Sequence, residues 1–366
     1  MKNSLLGFLV LLSLNCFSQL TTPPDGGNKK AVVGERIGIT DVTINYNRPG
    51  VKGREGKVFG KLVEYGFNDL GFGTSKAAPW RAGANENTTI EFSTNVKIEG
   101  KDLPAGKYGF FIAVGPEEST LIFSKNSTSW GSFFYKENED ALRVKVKNVP
   151  MPVSTEWLTY EFTNETPNSA VVNLVWEKMK FPFKIEVDLQ QLQLESFRNE
   201  LRTEKGFTAN AWHQAARYCL DNNINLEEGM IWSEKAINEP FIGEPNFATL
   251  STKAKYLRKF GKNSAADSIM KVALPMGSMT QIHNYARGLL QEKKNKEAFE
   301  VFKMNNEKNP NTFTTNMGMT RGYAAIGNLK KALEYAEKAL PQAPDGGNRV
   351  AVEGIIANLK EGKDIN

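Results

Sequence analysis

The hydrophobic pattern changes period once along the chain, and this change limits the fold more than any other feature does. From about residue 30 to 188 apolar and polar residues alternate. Leu142, Val144 and Val146 point one way, and Arg143, Lys145 and Lys147 the other. Leu158, Tyr160 and Phe162 repeat the arrangement, as do Phe183, Ile185 and Val187 against Lys184, Glu186 and Asp188. A period of two belongs to half-buried antiparallel strands with one wet face. Further strands are predicted at Gly38 to Tyr46, Thr88 to Phe92, Tyr108 to Val114, Thr120 to Phe123 and Val171 to Trp176, between turns such as Pro104-Ala105-Gly106 and Gly115-Pro116. Short strands without a helical period between them predict two packed antiparallel sheets, a β-sandwich.

After Asp188 the period becomes that of an amphipathic helix. Ala298, Val301 and Phe302 share a face, as do Ala332, Tyr335, Ala336 and Ala339. Ala298 to Ala332 and Pro310 to Pro344 are both offsets of 34 residues, the tetratricopeptide period. Tyr323, Gly327, Ala332, Ala339 and Pro344 fall where such a helix–turn–helix unit places small packing residues and a closing proline. Fainter copies precede them: Ala266 with Ile269, Met270 and Ala273, and Gly229 with Trp232, Ser233 and Ala236. A lone unit cannot cover its apolar face, so about four helix pairs are expected to stack. The expected fold class is therefore α+β with two domains, an antiparallel β-sandwich at 30–188 and an all-α tetratricopeptide-like array at 189–366.

The start of the chain reads as a leader. Lys2 is followed by an apolar run from Leu5 to Leu14 and then Asn15-Cys16-Phe17-Ser18-Gln19, the layout of a secretory signal at 1–18 cut after Ser18. Residues 19–29 then form a flexible segment, and the product is expected to be exported to the periplasm or cell envelope. Acylation at Cys16 is the rival reading, but a lipoprotein signal wants a small residue where Asn15 stands. The mature chain keeps Cys219 as its one cysteine, read as a buried apolar group. No apolar stretch of about 18 residues predicts a membrane-spanning helix. The net charge is +5, from 46 bases and 41 acids dispersed along the chain, which argues against nucleic acid as a partner.

Three motifs in order then resemble a known family: Ile37 to Arg54, Trp80 to Ile90, and Leu103 to Tyr108. Residues 20 to 188 are similar to a secreted bacterial family known as a domain of unknown function, numbered 2911, whose members often carry a tetratricopeptide-like tail. The resemblance brings no substrate or catalytic residue with it. Between Leu62 and Trp80 the family pattern is usually a short turn, whereas here Glu64 to Pro79 is longer and rich in glycine, either a tolerated insertion or a binding element.

The candidate site residues lie in two of these motifs. Arg48 and Arg54 accompany Gly50 and Gly53, while Trp80, Arg81, Asn85 and Glu86 surround Gly83. Guanidinium groups recognise carboxylate or phosphate with paired donors, and an indole stacks on a sugar face. Should the loops 47–54 and 80–87 converge, they would form a polar cleft for a glycan or an anionic small molecule; otherwise the arginines satisfy loop carbonyls. The sheet half has no histidine and no cysteine, so no Ser-His-Asp or Cys-His relay is expected there. Glu86 with Asp41 or Asp69 would supply the acids of a carboxylate-dependent hydrolase. His213 and His283 lie 70 residues apart and read as packing or surface groups, so no metal and no cofactor is expected. Gly71 to Lys76 lacks the spacing of a phosphate loop. A concave groove of the helical array is expected to hold a protein or peptide partner, with Met304, Phe313, Met317, Met319 and Tyr323 as aromatic and thioether candidates for its lining, although most at helical spacing are expected to be core. A non-enzymatic interaction protein is the leading expectation.

Overall fold

The computed structural model describes residues 27–366, so the leader, its cleavage position and Cys16 lie outside the described residues. The chain divides into two compact units, Met1–Gln193 and Leu194–Asn366.

The first unit contains ten strands in two antiparallel sheets. β1 (Lys29–Ile37), β2 (Thr40–Arg48), β3 (Thr88–Phe92), β6 (Gly106–Ala113), β7 (Glu118–Ser124) and β8 (Asp140–Lys147) form a six-stranded sheet in that order. β4 (Val96–Ile98), β5 (Lys101–Leu103), β9 (Val149–Thr166) and β10 (Ser169–Glu186) form a four-stranded sheet in the order β5-β4-β10-β9. Along β2 the predicted alternation holds: Val42, Ile44 and Tyr46 are buried, and Asp41, Thr43 and Asn45 are not. One apolar cluster draws side chains from both sheets. Phe110 of β6 and Phe123 of β7 lie 5.6 and 6.1 Å from Phe183 of β10, and Tyr46 of β2 lies edge-on 4.7 Å from Tyr160 of β9.

β6 is buried on both faces, and its continuous run Phe110-Phe111-Ile112-Ala113 shows why. Phe110 and Ile112 face the shared cluster, while Phe111 and Ala113 form a second small cluster with Ile122 and Tyr135 on the other side. The segments predicted separately at Val171 to Trp176 and Phe183 to Val187 belong to one long strand, β10. Register shifts on either side of Glu177, a left-handed residue at φ 52°, let it bend without breaking its pairing with β9.

The second unit is helical. α1 (Leu189–Glu200) leads into four packed pairs: α2 (Ala209–Asn222) with α3 (Leu226–Asn238), α4 (Phe247–Lys259) with α5 (Asn263–Ala273), α6 (Met279–Gln291) with α7 (Asn295–Lys308), and α8 (Phe313–Ala325) with α9 (Leu329–Ala339). α10 (Gly346–Lys360) packs on α9. The first helix of each later pair starts with the same device. Asn246, Ser278 and Thr312 cap α4, α6 and α8, each in a reciprocal capping box with Thr249, Gln281 and Thr315. The turn into each second helix passes through a left-handed residue, Gly261, Lys293 or Gly327, before the cap residues Lys262, Lys294 and Asn328. Ala266, Ala298 and Ala332, four residues past those caps, are completely buried. The 37-residue step from Gly229 to Ala266 is longer than the 34 of the last step because residues 239–246 form a longer connection between pairs. Among the described residues no helix is long and apolar enough to cross a membrane.

Candidate functional site

The two polar loops of the sheet unit meet, and Asn47 joins them. Its carbonyl accepts from Ala84 N at 3.2 Å, its Nδ2 donates to Glu86 Oε2 at 2.5 Å, and its Oδ1 accepts from Asn85 Nδ2 at 3.4 Å. Two of the arginines turn elsewhere. Arg48 Nε donates to the Leu158 carbonyl at 2.8 Å and a second nitrogen to Thr159 Oγ1 at 2.7 Å, tying β2 to β9. Arg54 closes its own turn through the Val51 and Gly50 carbonyls, at 2.8 and 2.7 Å. Arg81 donates to the Asn85 carbonyl at 2.7 Å, lies over the Phe133 ring at 4.8 Å, and is close against Gly131. Burial makes its guanidinium less basic than usual, and no carboxylate pairs with it among the described residues. Trp80 stacks on Trp176 at 5.9 Å and donates to the Gly83 carbonyl at 3.2 Å, so its indole faces protein. These hydrogen bonds occupy the donors a carboxylate or phosphate would need at Arg48 and Arg54.

The acids do not gather. Glu86 is held by Asn47 and lies 3.7 Å from Lys30. Asp41 forms a bidentate pair with Arg36, and stands six residues from Asn47 along β2, about 20 Å at the usual strand rise. Asp69 pairs with Lys76 at 3.0 Å. The glycine-rich segment 64–79 exposes Tyr65, Phe67, Leu70 and Phe72. It is pinned where Thr74 N and Ser75 N both donate to the Phe133 carbonyl, and Phe72 meets Phe133 edge-on at 5.3 Å.

A groove lies in the helical unit. It has a volume of about 840 Å3 and is lined by the first helices of three successive pairs, α2, α4 and α6. α2 contributes His213, Arg217 and Leu220; α4 contributes Ser251, Thr252 and Lys255; α6 contributes Gln281, Asn284 and Tyr285. The helices are tied across it: His213 Nε2 and Thr252 Oγ1 are 2.9 Å apart, and Arg258 reaches the Tyr285 hydroxyl at 3.4 Å. Phe247, Met270 and Leu289 supply an apolar floor. The residues expected to line it belong to packing instead. Met317 and Met319 are buried, and Met304, Phe313 and Tyr323 pack against core clusters, because their faces meet the neighbouring helices.

The titratable groups of this unit are set by burial. His213 is less basic than usual, first through burial and then through Arg217. Burial, followed by the charges of Arg287 and Arg321, pushes His283 down to about 4. Burial also pushes the Cys219 thiol up to about 11, which leaves it protonated and unreactive. The groove offers cations, hydroxyls and amides over an apolar floor, and its two carboxylates, Asp221 and Glu292, are each paired with a cation, Arg217 and Lys294. Its cations were not singled out in the sequence, where Arg217 and Lys255 look like any solvated helix charge.

No curated protein matches the chain. Among solved structures, YrrB, a TPR protein with an unusual peptide-binding site, is similar at 20% identity and a TM-score of 0.31, over 45% of this chain and 83% of that one. PilF of Pseudomonas aeruginosa is similar at 19% and 0.31, over 42% and 68%. MamA of Desulfovibrio magneticus is similar at 15% and 0.29, over 42% and 93%. Within the sheet unit, residues 28–185 match the family described as a protein of unknown function, DUF2911.

Proposed function

We propose that the chain is an interaction protein whose helical array holds a segment of a protein partner in the groove of α2, α4 and α6. The supporting observation is the groove itself: about 840 Å3 of open space, lined by the same helix of three consecutive pairs and floored by Phe247, Met270 and Leu289. An extended peptide needs an apolar floor for burial and polar groups at intervals for its backbone, and both are present. The leader-like residues 1–18 support reading the protein as exported to the cell envelope. The test is selection of a random-peptide display library on the full chain, repeated with Asn284→Trp, an exposed groove residue whose enlargement fills the channel. Enriched peptides that lose binding to the variant support the reading. Failure to enrich any peptide, or binding unchanged by Asn284→Trp, refutes it.

A further inference from the structure

The groove-lining helices carry a charge at one repeated position. Counted from the caps Thr208, Asn246, Ser278 and Thr312, the ninth residue is Arg217 in α2, Lys255 in α4, Arg287 in α6 and Arg321 in α8. Lys and Arg make up 46 of 366 residues, roughly one in eight, so composition alone does not place a cation at one register in all four pairs. Arg217 and Lys255 line the groove, and α8 packs on α6 to continue the row of helices.

Structural roles do not account for them. Arg217 has one acidic partner, Asp221 at 3.3 Å, and both side chains are more than half exposed, so that pair contributes little. Lys255, Arg287 and Arg321 form no ion pair among the described residues. Arg321 is half-buried, and that burial first, then the charge of Arg287, makes its ionisation less favourable. Arg287 and Arg321 act on each other without a carboxylate partner among the described residues, whereas Arg217 has Asp221, and like charges held together without a counter-charge destabilise the array that holds them. A bound anion reverses that effect.

From this register we infer that the inner face binds an extended acidic peptide segment with a carboxylate at about every third residue, the cations of successive pairs each meeting one. The inference rests on the groove reading above and adds the chemistry of the partner. α2 packs on α4 and α6 on α8; packed helices stand about 8–10 Å apart and three residues of extended chain rise about 10 Å, so the two repeats match within each of these couples. A nucleic-acid strand carries a charge every roughly 3.4 Å along the duplex axis, far denser than one rung per helix. Gln214 and Asn284, at the sixth position of α2 and α6, are exposed and can pair with the amides between the carboxylates.

The display selection decides this with two added arms. Enriched peptides are expected to carry Asp or Glu at three-residue spacing. Synthetic versions with Gln in those positions are expected to bind the full chain at least tenfold more weakly, as is the acidic peptide to Lys255→Glu or Arg287→Glu, both exposed positions. Affinity also falls with added salt. Lys255→Gln and Arg287→Gln, with circular dichroism as a check on folding, separate loss of charge from loss of structure. Enrichment of neutral or basic peptides that still respond to Asn284→Trp overturns the acidic inference and leaves the groove reading standing; no enrichment overturns both. Preference for a single-stranded oligonucleotide over the acidic peptide likewise overturns it.

Discussion

Gly229 is the sharpest test of how the helical pairs pack. It is the fourth residue past the cap of α3, where α5, α7 and α9 carry the fully buried Ala266, Ala298 and Ala332. The repeat prefers alanine at this position, and α3 departs from it because Tyr256 occupies the space. A methyl on Gly229 would lie 2.1 Å from the Tyr256 hydroxyl, 2.7 Å from Cys219 Cβ and 2.9 Å from Tyr256 Cζ. That hydroxyl is buried and donates to the Ala216 carbonyl at 2.6 Å, so it has nowhere to move without giving up its bond. In an open helix, Gly→Ala gains about 1 kcal/mol. Here overpacking costs about 1–3 kcal/mol, and displacing the buried hydroxyl costs about 1–3 kcal/mol more. Gly229→Ala should therefore lower stability by about 3 kcal/mol net, the central value left when those costs are set against the helix-propensity gain.

The measurement is urea unfolding of the full chain followed by far-ultraviolet ellipticity. Gly354→Ala is the internal control, since Gly354 lies within α10 with no atom near its absent methyl. It should gain up to about 1 kcal/mol. Tyr256→Phe combined with Gly229→Ala should cost less than the two changes summed, because removing the hydroxyl removes the closest conflict. A Gly229→Ala midpoint at or above that of the unaltered chain would refute the packing argument, since the propensity gain would then be unopposed.

Two further outcomes follow from single residues. Because the His283 pKa falls from 6.5 to about 4 on folding, the unfolded chain takes up a proton that the folded chain resists. The contribution of His283 to stability is complete above about pH 6.5 and lost as pH falls toward 4, at most about 3 kcal/mol, so His283→Gln should flatten the acid limb of a stability–pH profile; an unchanged limb counts against it. Arg48→Lys should lower the unfolding temperature of the sheet unit, with about 1–3 kcal/mol lost, because an ammonium cannot bridge the Leu158 carbonyl and Thr159 Oγ1 together; a Lys variant as stable as the original would show that the clamp is idle.

The strands that announced themselves in the sequence are those with one wet and one buried face, such as β2 and β8. β1 did not, because Lys29, Lys30, Glu35 and Arg36 give an edge strand few apolar positions to alternate. β4 and β5 are three residues each, too short to show a period. β10 was read as separate pieces because the bulge at Glu177 breaks the alternation while the hydrogen bonding continues. In the candidate site, the sequence left the convergence of loops 47–54 and 80–87 as a condition, and the guanidinium directions were invisible: a carbonyl acceptor on β9, 110 residues away, leaves no mark in the residues around Arg48.

The groove escaped the sequence for a related reason, and the two registers of the helical unit show why. The small residues Gly229, Ala266, Ala298 and Ala332 follow one another at 37, 32 and 34 residues; the cations Arg217, Lys255, Arg287 and Arg321 follow at 38, 32 and 34. Both series drift together, because each step contains the same connection between pairs and that connection is longest at 239–246. The alanines betray themselves despite the drift, since a close helix crossing restricts residue volume and leaves a compositional trace. Arg217, Lys255 and Arg287 are exposed and leave no such trace, so in the sequence each is one of 46 cations, and only Arg321 is half-buried. Only the caps, which fix where each helix begins, bring the four onto a common position. On the acidic-peptide reading, the shared position reflects the spacing of the partner's carboxylates rather than any demand of packing.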